Sequence, residues 1–404
     1  MEYDFLISDR MRNVDPKPLD DMFSFGVDPT VISLACGNPD ASLFPAAALA
    51  QAAFDVIAQE PVSALQYGKT KGYPPFLDYL CARLKQKQGV CCAEDELLIT
   101  SGSQQGLELF AKVLLNEGDT VLVEEPAFIG SLNAFRSAGA RLIGVPLERD
   151  GMSLAALDRL LTAHPETKFV YTIPTSNNPT GITMSVEKRR RFYEIVKKHR
   201  VFVAEDDPYS ELRFDGKILP PIKCLDTEGL VLYFGSFSKI LSPGLRVGYV
   251  CADPAMIRLL SVAKQTADLQ TAVLQQMMIL QYVRCNDLDA HINALRERYA
   301  AKCGVMLAAI DLYFPAGASR TEPDGGLFLW CDLNNGCDTN RLVSKAVQKR
   351  VAYVPGYAFT ADLTNKQSTL RLNFSALPAE QITEGVRRLG SLLKTAEKDC
   401  TPGG

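Results

Sequence analysis

From about residue 63 to residue 284 the chain alternates short β-branched runs with longer helical patterns, and this alternation narrows its fold more than any other feature. Strand-like runs fall at 96–100, 120–123, 142–145, 169–173, 201–204, 231–234 and 247–251. Between them lie helical patterns at 106–115, 127–138, 154–163 and 186–199. Such an order predicts an α/β fold with a mostly parallel sheet covered by helices. In sheets of this kind ligands collect at the carboxyl ends of the strands. Two long helical patterns follow, at about 254–282 and 288–310. A shorter mixed segment comes after them, with strands near 327–331 and 370–374 and helices near 339–349 and 379–394. The expected division is an N-terminal segment (1–62) packing with the smaller domain, a large domain (63–284) and a smaller α/β C-terminal domain (285–404).

Composition removes several function classes. A net charge of −4 argues against a nucleic-acid partner, which needs a basic face. The basic run Lys188-Arg189-Arg190-Arg191 reads as a solvated helix face. The N-terminus lacks the apolar core of a signal peptide, and no run reaches membrane-spanning length. Eleven cysteines without regular spacing read as reduced thiols, and three scattered histidines give little material for a metal site. A cytoplasmic protein with no metal, no membrane and no nucleic acid is the expectation.

The chemistry sits at the strand ends. Gly235-Ser236-Phe237-Ser238-Lys239 closes an apolar strand, and a desolvated lysine there can be neutral and nucleophilic. Ser236, Ser238 and Arg246 stand at offsets suited to a phosphate, although a lysine in a serine-rich loop is common. Ser101-Gly102-Ser103-Gln104-Gln105-Gly106 follows ELLIT and opens a helix, where backbone N–H groups and the helix dipole favour an anion. Simple N-capping by serine explains it equally well. The segment is not a P-loop, and no G-x-G-x-x-G follows a strand, which disfavours nucleoside triphosphates and NAD. Asn177-Asn178-Pro179-Thr180-Gly181 is a turn by composition, placed where an amide could hold a ring oxygen, and its X-Pro bond is a candidate for cis. Glu205-Asp206-Asp207-Pro208-Tyr209 ends VFVA; a carboxylate there can pair with a protonated pyridine nitrogen, and Tyr209 can donate to the ring oxygen.

Together the segments ISLACGNPDASLFP, LQYGKTKGYPPF, TSGSQQGL, EEPAF, NNPTG, EDDPY, GSFSK, GLRVGY and LRLNFS resemble fold-type I enzymes dependent on pyridoxal 5′-phosphate (PLP). Within class I/II aminotransferases the chain is similar to the branch of 2-aminoadipate and kynurenine aminotransferases and the MocR regulators. The resemblance implies that Lys239 carries the cofactor as a Schiff base and shuttles protons. It further implies that Asp206 pairs the pyridine nitrogen, that Asn178 and Tyr209 hold the ring oxygen, and that Phe128 stacks on the ring. Ser103, Gln104, Ser236, Ser238 and Arg246 are expected to bind the phosphate, with Tyr67 reaching the phosphate of a partner subunit in a homodimer. Arg371 is expected to clamp the substrate α-carboxylate as a fork, helped by Gly37, with Asn38 and Asn178 also meeting substrate.

The implied reaction is transfer of an amino group from an L-amino acid (aromatic, aliphatic or 2-aminoadipate-like) to a 2-oxo acid such as 2-oxoglutarate. Asp20 falls where an arginine often meets the substrate side chain in that branch, so strict 2-aminoadipate specificity is not expected. A helix-start acid remote from substrate is the equal alternative for Asp20. Two other readings stay open: a C–S β-lyase built on the same cofactor, and a non-catalytic MocR-like effector domain.

Overall fold

The computed structural model describes residues 6–14, 16, 20, 28–364 and 367–400. A two-residue strand, β1 (Ile32–Ser33), precedes the main sheet. Then come β2 (Leu97–Thr100), β3 (Thr120–Glu125), β4 (Arg141–Glu148), β5 (Gly151–Met152), β6 (Phe169–Thr172), β7 (Phe202–Asp207), β8 (Val231–Ser236) and β9 (Gly248–Cys251). Among the described residues these eight form one sheet in the order β2-β9-β8-β7-β6-β3-β4-β5. Strands β4, β3, β6, β7 and β8 run parallel, while β9 is antiparallel to both its neighbours. Every residue of β2, β6, β8 and β9 is buried, as expected for strands covered on both faces.

Local sequence explains the covering helices. Helix Val186–His199 starts at Ser185, whose hydroxyl accepts from the Lys188 N–H at 3.2 Å, and it buries Phe192, Tyr193 and Val196. Helix Pro254–Ala267 starts with proline at its first position and Asp253 as cap, accepting from Ala255 N at 2.7 Å. The pattern read as one helix over 254–282 is two, Pro254–Ala267 and Val273–Cys285, with Leu269 between them at φ 67°. Asp268 explains the break. It accepts from Gln105 Nε2 at 2.7 Å and Lys264 Nζ at 2.9 Å, a tether to the helix at Ser103–Leu114 that the sequence pattern does not carry.

The C-terminal part holds β10 (Ser319–Arg320), β11 (Phe328–Asp332), β12 (Val351–Ala352), β13 (Val354–Pro355) and β14 (Thr369–Asn373). An antiparallel sheet runs β10-β11-β14-β13, and β12 pairs in parallel with β1. Helices Leu288–Tyr313 and Ala379–Cys400 pack together beside it. The described residues from Ile32 to Leu65 divide their packing. Ile32–Ser33 joins β12, and Leu34 accepts from Asn373 N, whereas helices Ala46–Gln59 and Pro61–Leu65 lie against Val273–Cys285.

One buried ion pair ties these parts. Lys302 Nζ lies 2.7 Å from Asp40 Oδ2 and 2.7 Å from Ser375 O, and both charged side chains are under one-tenth exposed. Burial pushes the Asp40 carboxyl up, but Lys302 and Ser42 together hold it below its ordinary value. Removing one partner leaves a buried charge uncompensated, so Lys302→Met is expected to cost about 3–5 kcal/mol, read as a lower thermal midpoint. The double change with Asp40→Leu should recover most of that loss. An unchanged midpoint in the single variant would show that the pair contributes nothing.

Candidate active site

Because β3, β6, β7 and β8 run parallel, the segments after Glu125, Thr172, Asp207 and Ser236 meet at one edge of the sheet. The reversed β9 begins at that edge, and the helix after β2 starts there. A cavity of about 600 Å³ opens at this edge. Every residue named from the sequence as binding cofactor or substrate lines it, except Tyr67.

Lys239 follows β8 and donates from Nζ to the Gly37 carbonyl at 2.8 Å. Burial, together with the nearby charges of Arg371 and Arg246, pushes its amine down to about 8. A lysine so placed holds a usable neutral fraction near neutral pH.

Asp206, at the end of β7, is 2% exposed, and burial pushes its carboxyl up to about 7 against the hydrogen bond from Tyr171. Its Oδ2 accepts from the Tyr171 hydroxyl at 2.9 Å, while Oδ1 has no hydrogen-bond partner. A buried orphan acceptor on the wall of a cavity fits a ligand bearing an N–H. Burial and the charge of Asp206 raise the Tyr209 hydroxyl well above its ordinary value, with a hydrogen bond to Asn178 working the other way. The Asn178-Pro179 bond is cis, as is Glu125-Pro126. Asn177, beside it, donates to the buried Glu124 at 2.6 Å, and that carboxylate also takes Ile173 N at 3.0 Å. The turn carrying Asn178 is therefore pinned from within the sheet.

Ser103 and Gln104 begin the helix Ser103–Leu114, with Gly102 at φ 80° before it. Ser236 Oγ donates to Ser238 Oγ at 2.9 Å, and Arg246 donates to Ser101 O at 3.0 Å. Helix-start N–H groups, two hydroxyls and a guanidinium make a cradle for a phosphate. The cradle leaves no room beside Gly102, where an added Cβ would come within 2.5 Å of Arg246 Nη2. Gly102→Ala is expected to weaken cofactor retention about tenfold or more, from strain and displacement of Arg246. Titrating the apoprotein with PLP and following visible absorption measures it; affinity equal to wild type would refute the cradle.

Arg371 sits in β14, 1% exposed, donating to Asn178 Oδ1 at 2.9 Å and Ala35 O at 2.6 Å. Its guanidinium carbon lies 4.2 Å from the Phe328 ring centre and 4.9 Å from that of Phe359. Burial pushes it down to about 10. Asn38 is exposed at the cavity, and its carbonyl accepts from Ser375 Oγ at 2.7 Å. Phe128 lines the cavity beside Gly130. The set of donors and acceptors fits pyridoxal phosphate: an anion cradle, a ring-nitrogen partner, a ring-oxygen pair and a desolvated amine.

Tyr67 lies outside the cavity and is 78% exposed. Asp20 is exposed and does not line the cavity, while residues 17–19 of that segment lie outside the described residues. Sequence reasoning did not single out Tyr171, Ser131, Phe328 or Ile173, whose roles depend on strand register and on contacts between distant segments. It also misread part of the basic run. Lys188 is buried against Glu148 and Asp150, and Arg189 donates to Met184 O, Pro174 O and Pro220 O, closing carbonyl ends of the core. Only Arg190 and Arg191 face solvent as expected. Among the described residues Cys337 is disulfide-bonded, against the expectation that every cysteine is a reduced thiol, while nine others form no disulfide. No helix among the described residues is long and apolar enough to cross a membrane.

Comparison with known proteins bears on this geometry. The family model for aminotransferase class I and II matches residues 29–389. An aromatic-amino-acid aminotransferase of Thermococcus litoralis is 37% identical, covering 98% of this chain and 96% of its own. A 2-aminoadipate transaminase of Thermus thermophilus is 38% identical over 91% of each. The solved kynurenine aminotransferase of Pyrococcus horikoshii, in complex with PMP, superposes with a TM-score of 0.92 at 37% identity, covering 98% of both chains.

Proposed function

The chain belongs to the class I and II aminotransferases, and from that premise we propose that it transaminates a broad set of L-amino acids. It is a PLP-dependent transaminase of fold type I. Donors with aromatic, aliphatic or 2-aminoadipate-like side chains and an acceptor such as 2-oxoglutarate suit this reading, and the relatives' names span aromatic and 2-aminoadipate donors. The observation that carries it is the convergence of Lys239, Asp206 and Arg371 on one cavity.

Bound there, the cofactor supplies an electron sink for the pair left when the substrate Cα–H bond breaks. Ser103, Gln104, Ser236, Ser238 and Arg246 would hold its phosphate, Asp206 its ring nitrogen, and Asn178 with Tyr209 its ring oxygen. Phe128 would cover the ring face. Arg371, with the Gly37 backbone, would hold the substrate α-carboxylate, and Asn38 would meet the substrate at the mouth. Lys239 Nζ would take the proton from the substrate Cα and later give one back, acting first as base and then as acid. Asp206 is buried and Lys239 half-buried at the cavity wall, which lowers the local dielectric around that transfer.

The test is to add single amino acids to the holoenzyme and follow the visible spectrum together with the keto acid formed. Stoichiometric keto acid without ammonia is the expected result, and release of pyruvate and ammonia without an acceptor would overturn it in favour of a lyase. Preference for 2-aminoadipate over all other donors by a large factor would overturn the broad specificity.

The proposal takes residues 63–284 as the cofactor domain, 285–404 as the smaller domain, and the enzyme as a cytoplasmic homodimer of amino-acid metabolism. Exposed Phe54, Val62, Leu65, Tyr67, Leu259 and Val262 support a twofold partner that covers them. Tyr67 would then reach the partner subunit's phosphate. Mixing Tyr67→Ala with Lys239→Ala chains should restore up to roughly a quarter of wild-type activity through mixed dimers with one intact site. No recovery on mixing would place Tyr67 elsewhere.

A further inference from the structure

We infer that Tyr171 is a positioning residue for the same reaction: with Ser131 behind it, its hydroxyl orients Asp206 so that one carboxylate oxygen stays available to the cofactor's ring nitrogen. The inference rests on the functional reading above and deepens it. Three separate elements build the arrangement. Ser131, in the helix Ile129–Ser137, donates to the Tyr171 oxygen at 2.7 Å, and Tyr171, in β6, donates to Asp206 Oδ2 at 2.9 Å. All three side chains are buried, and the Tyr171 ring is braced edge-on by Phe135, with ring centres 5.4 Å apart.

The order of donation matters. Each hydroxyl donates its hydrogen bond in the same direction, so Ser131 polarises Tyr171 and strengthens its bond to the carboxylate. Asp206 is thereby oriented, with Oδ2 occupied and Oδ1 left without a hydrogen-bond partner. Burial and the neighbouring Asp207 both push the Asp206 carboxyl toward its neutral form, and the Tyr171 hydroxyl opposes them. Without it Asp206 holds less negative charge beside the ring nitrogen, which then keeps a proton less firmly. The weaker positive charge on the ring lets the Lys239 nitrogen retain its own proton to higher pH. A tyrosine that merely satisfies its own buried hydroxyl would have none of these consequences.

The test compares the wild-type, Tyr171→Phe and Ser131→Ala holoenzymes. In Tyr171→Phe the pH midpoint of the bound cofactor's visible absorption should rise by about one unit. kcat should fall about 10- to 100-fold, with KM for donor and acceptor within about threefold of wild type. Ser131→Ala leaves the Tyr171 bond in place and should shift both readouts the same way by less. An unchanged absorption midpoint and kcat in Tyr171→Phe overturns the inference while the transaminase reading stands. Should Tyr171→Phe fail to fold, Ser131→Ala decides alone, and wild-type behaviour in it overturns the inference. A wild-type chain that takes up no PLP overturns the functional reading itself.

Discussion

Lys239→Ala is expected to lower turnover by about 10²- to 10⁴-fold while cofactor uptake remains measurable. The separation follows from where the groups lie. On the proposed reading Ser103, Ser236, Ser238 and Arg246 would hold the phosphate and Asp206, Asn178 and Tyr209 the ring, all on one cavity wall, so binding would not depend on one amine. Proton transfer does. With its amine pushed down to about 8, Lys239 is neutral in roughly a tenth of molecules at pH 7, far more often than an exposed lysine. Alanine removes the base altogether. Lys239→Arg should not rescue it, because a guanidinium stays protonated. Single-turnover absorption after mixing with a good donor measures the loss. Turnover within about tenfold of wild type would show that another group moves the proton.

Arg371→Lys is expected to cost about 2–5 kcal/mol in kcat/KM for both the amino donor and the 2-oxo acceptor, since each carries the same α-carboxylate. Charge is retained, but the planar fork and its stacking between Phe328 and Phe359 are lost. Burial disfavours the charged guanidinium, and a carboxylate arriving beside it offsets that cost. Steady-state kinetics with both substrates measures the effect. A change below about threefold, or a loss confined to one substrate, would assign the carboxylate to another group.

Much of the site is legible because each part is a local device. Ser-Gly-Ser-Gln at a helix start, Asn-Asn-Pro-Thr-Gly in a turn and Gly-Ser-Phe-Ser-Lys after an apolar strand are each readable over five or six residues, and their combination carries what none does alone. The parallel order of the strands then forces those ends to one edge. The helix pattern at 186–199 likewise matches Val186–His199, because capping and periodicity are local properties. Its basic residues do not follow the same rule. Arg189 is buried because the carbonyls of Pro174, Met184 and Pro220 gather around it. The break at Leu269 belongs with these, since Asp268 is held by residues more than 160 positions away.

The sequence by itself carried the α/β class and the strand ends, and its resemblance to a known family picked out Lys239, Asp206, Asn178, Arg246 and Arg371, which line one cavity. Periodicity, turn composition and helix starts act over a few residues and survive in a linear reading. Only the tertiary structure decided which groups act on those residues. Tyr171 reaches Asp206 through the register of β6 against β7, and a shift of one residue would turn it to the other face. The lowered amine of Lys239 comes from burial and from the charges of Arg371, far along the chain, and of the nearer Arg246. The Lys302–Asp40 pair spans 262 positions to hold the segment beside Gly37 in place. Burial and register are properties of the folded chain, because each depends on what lies across the sheet or on the far side of the cavity.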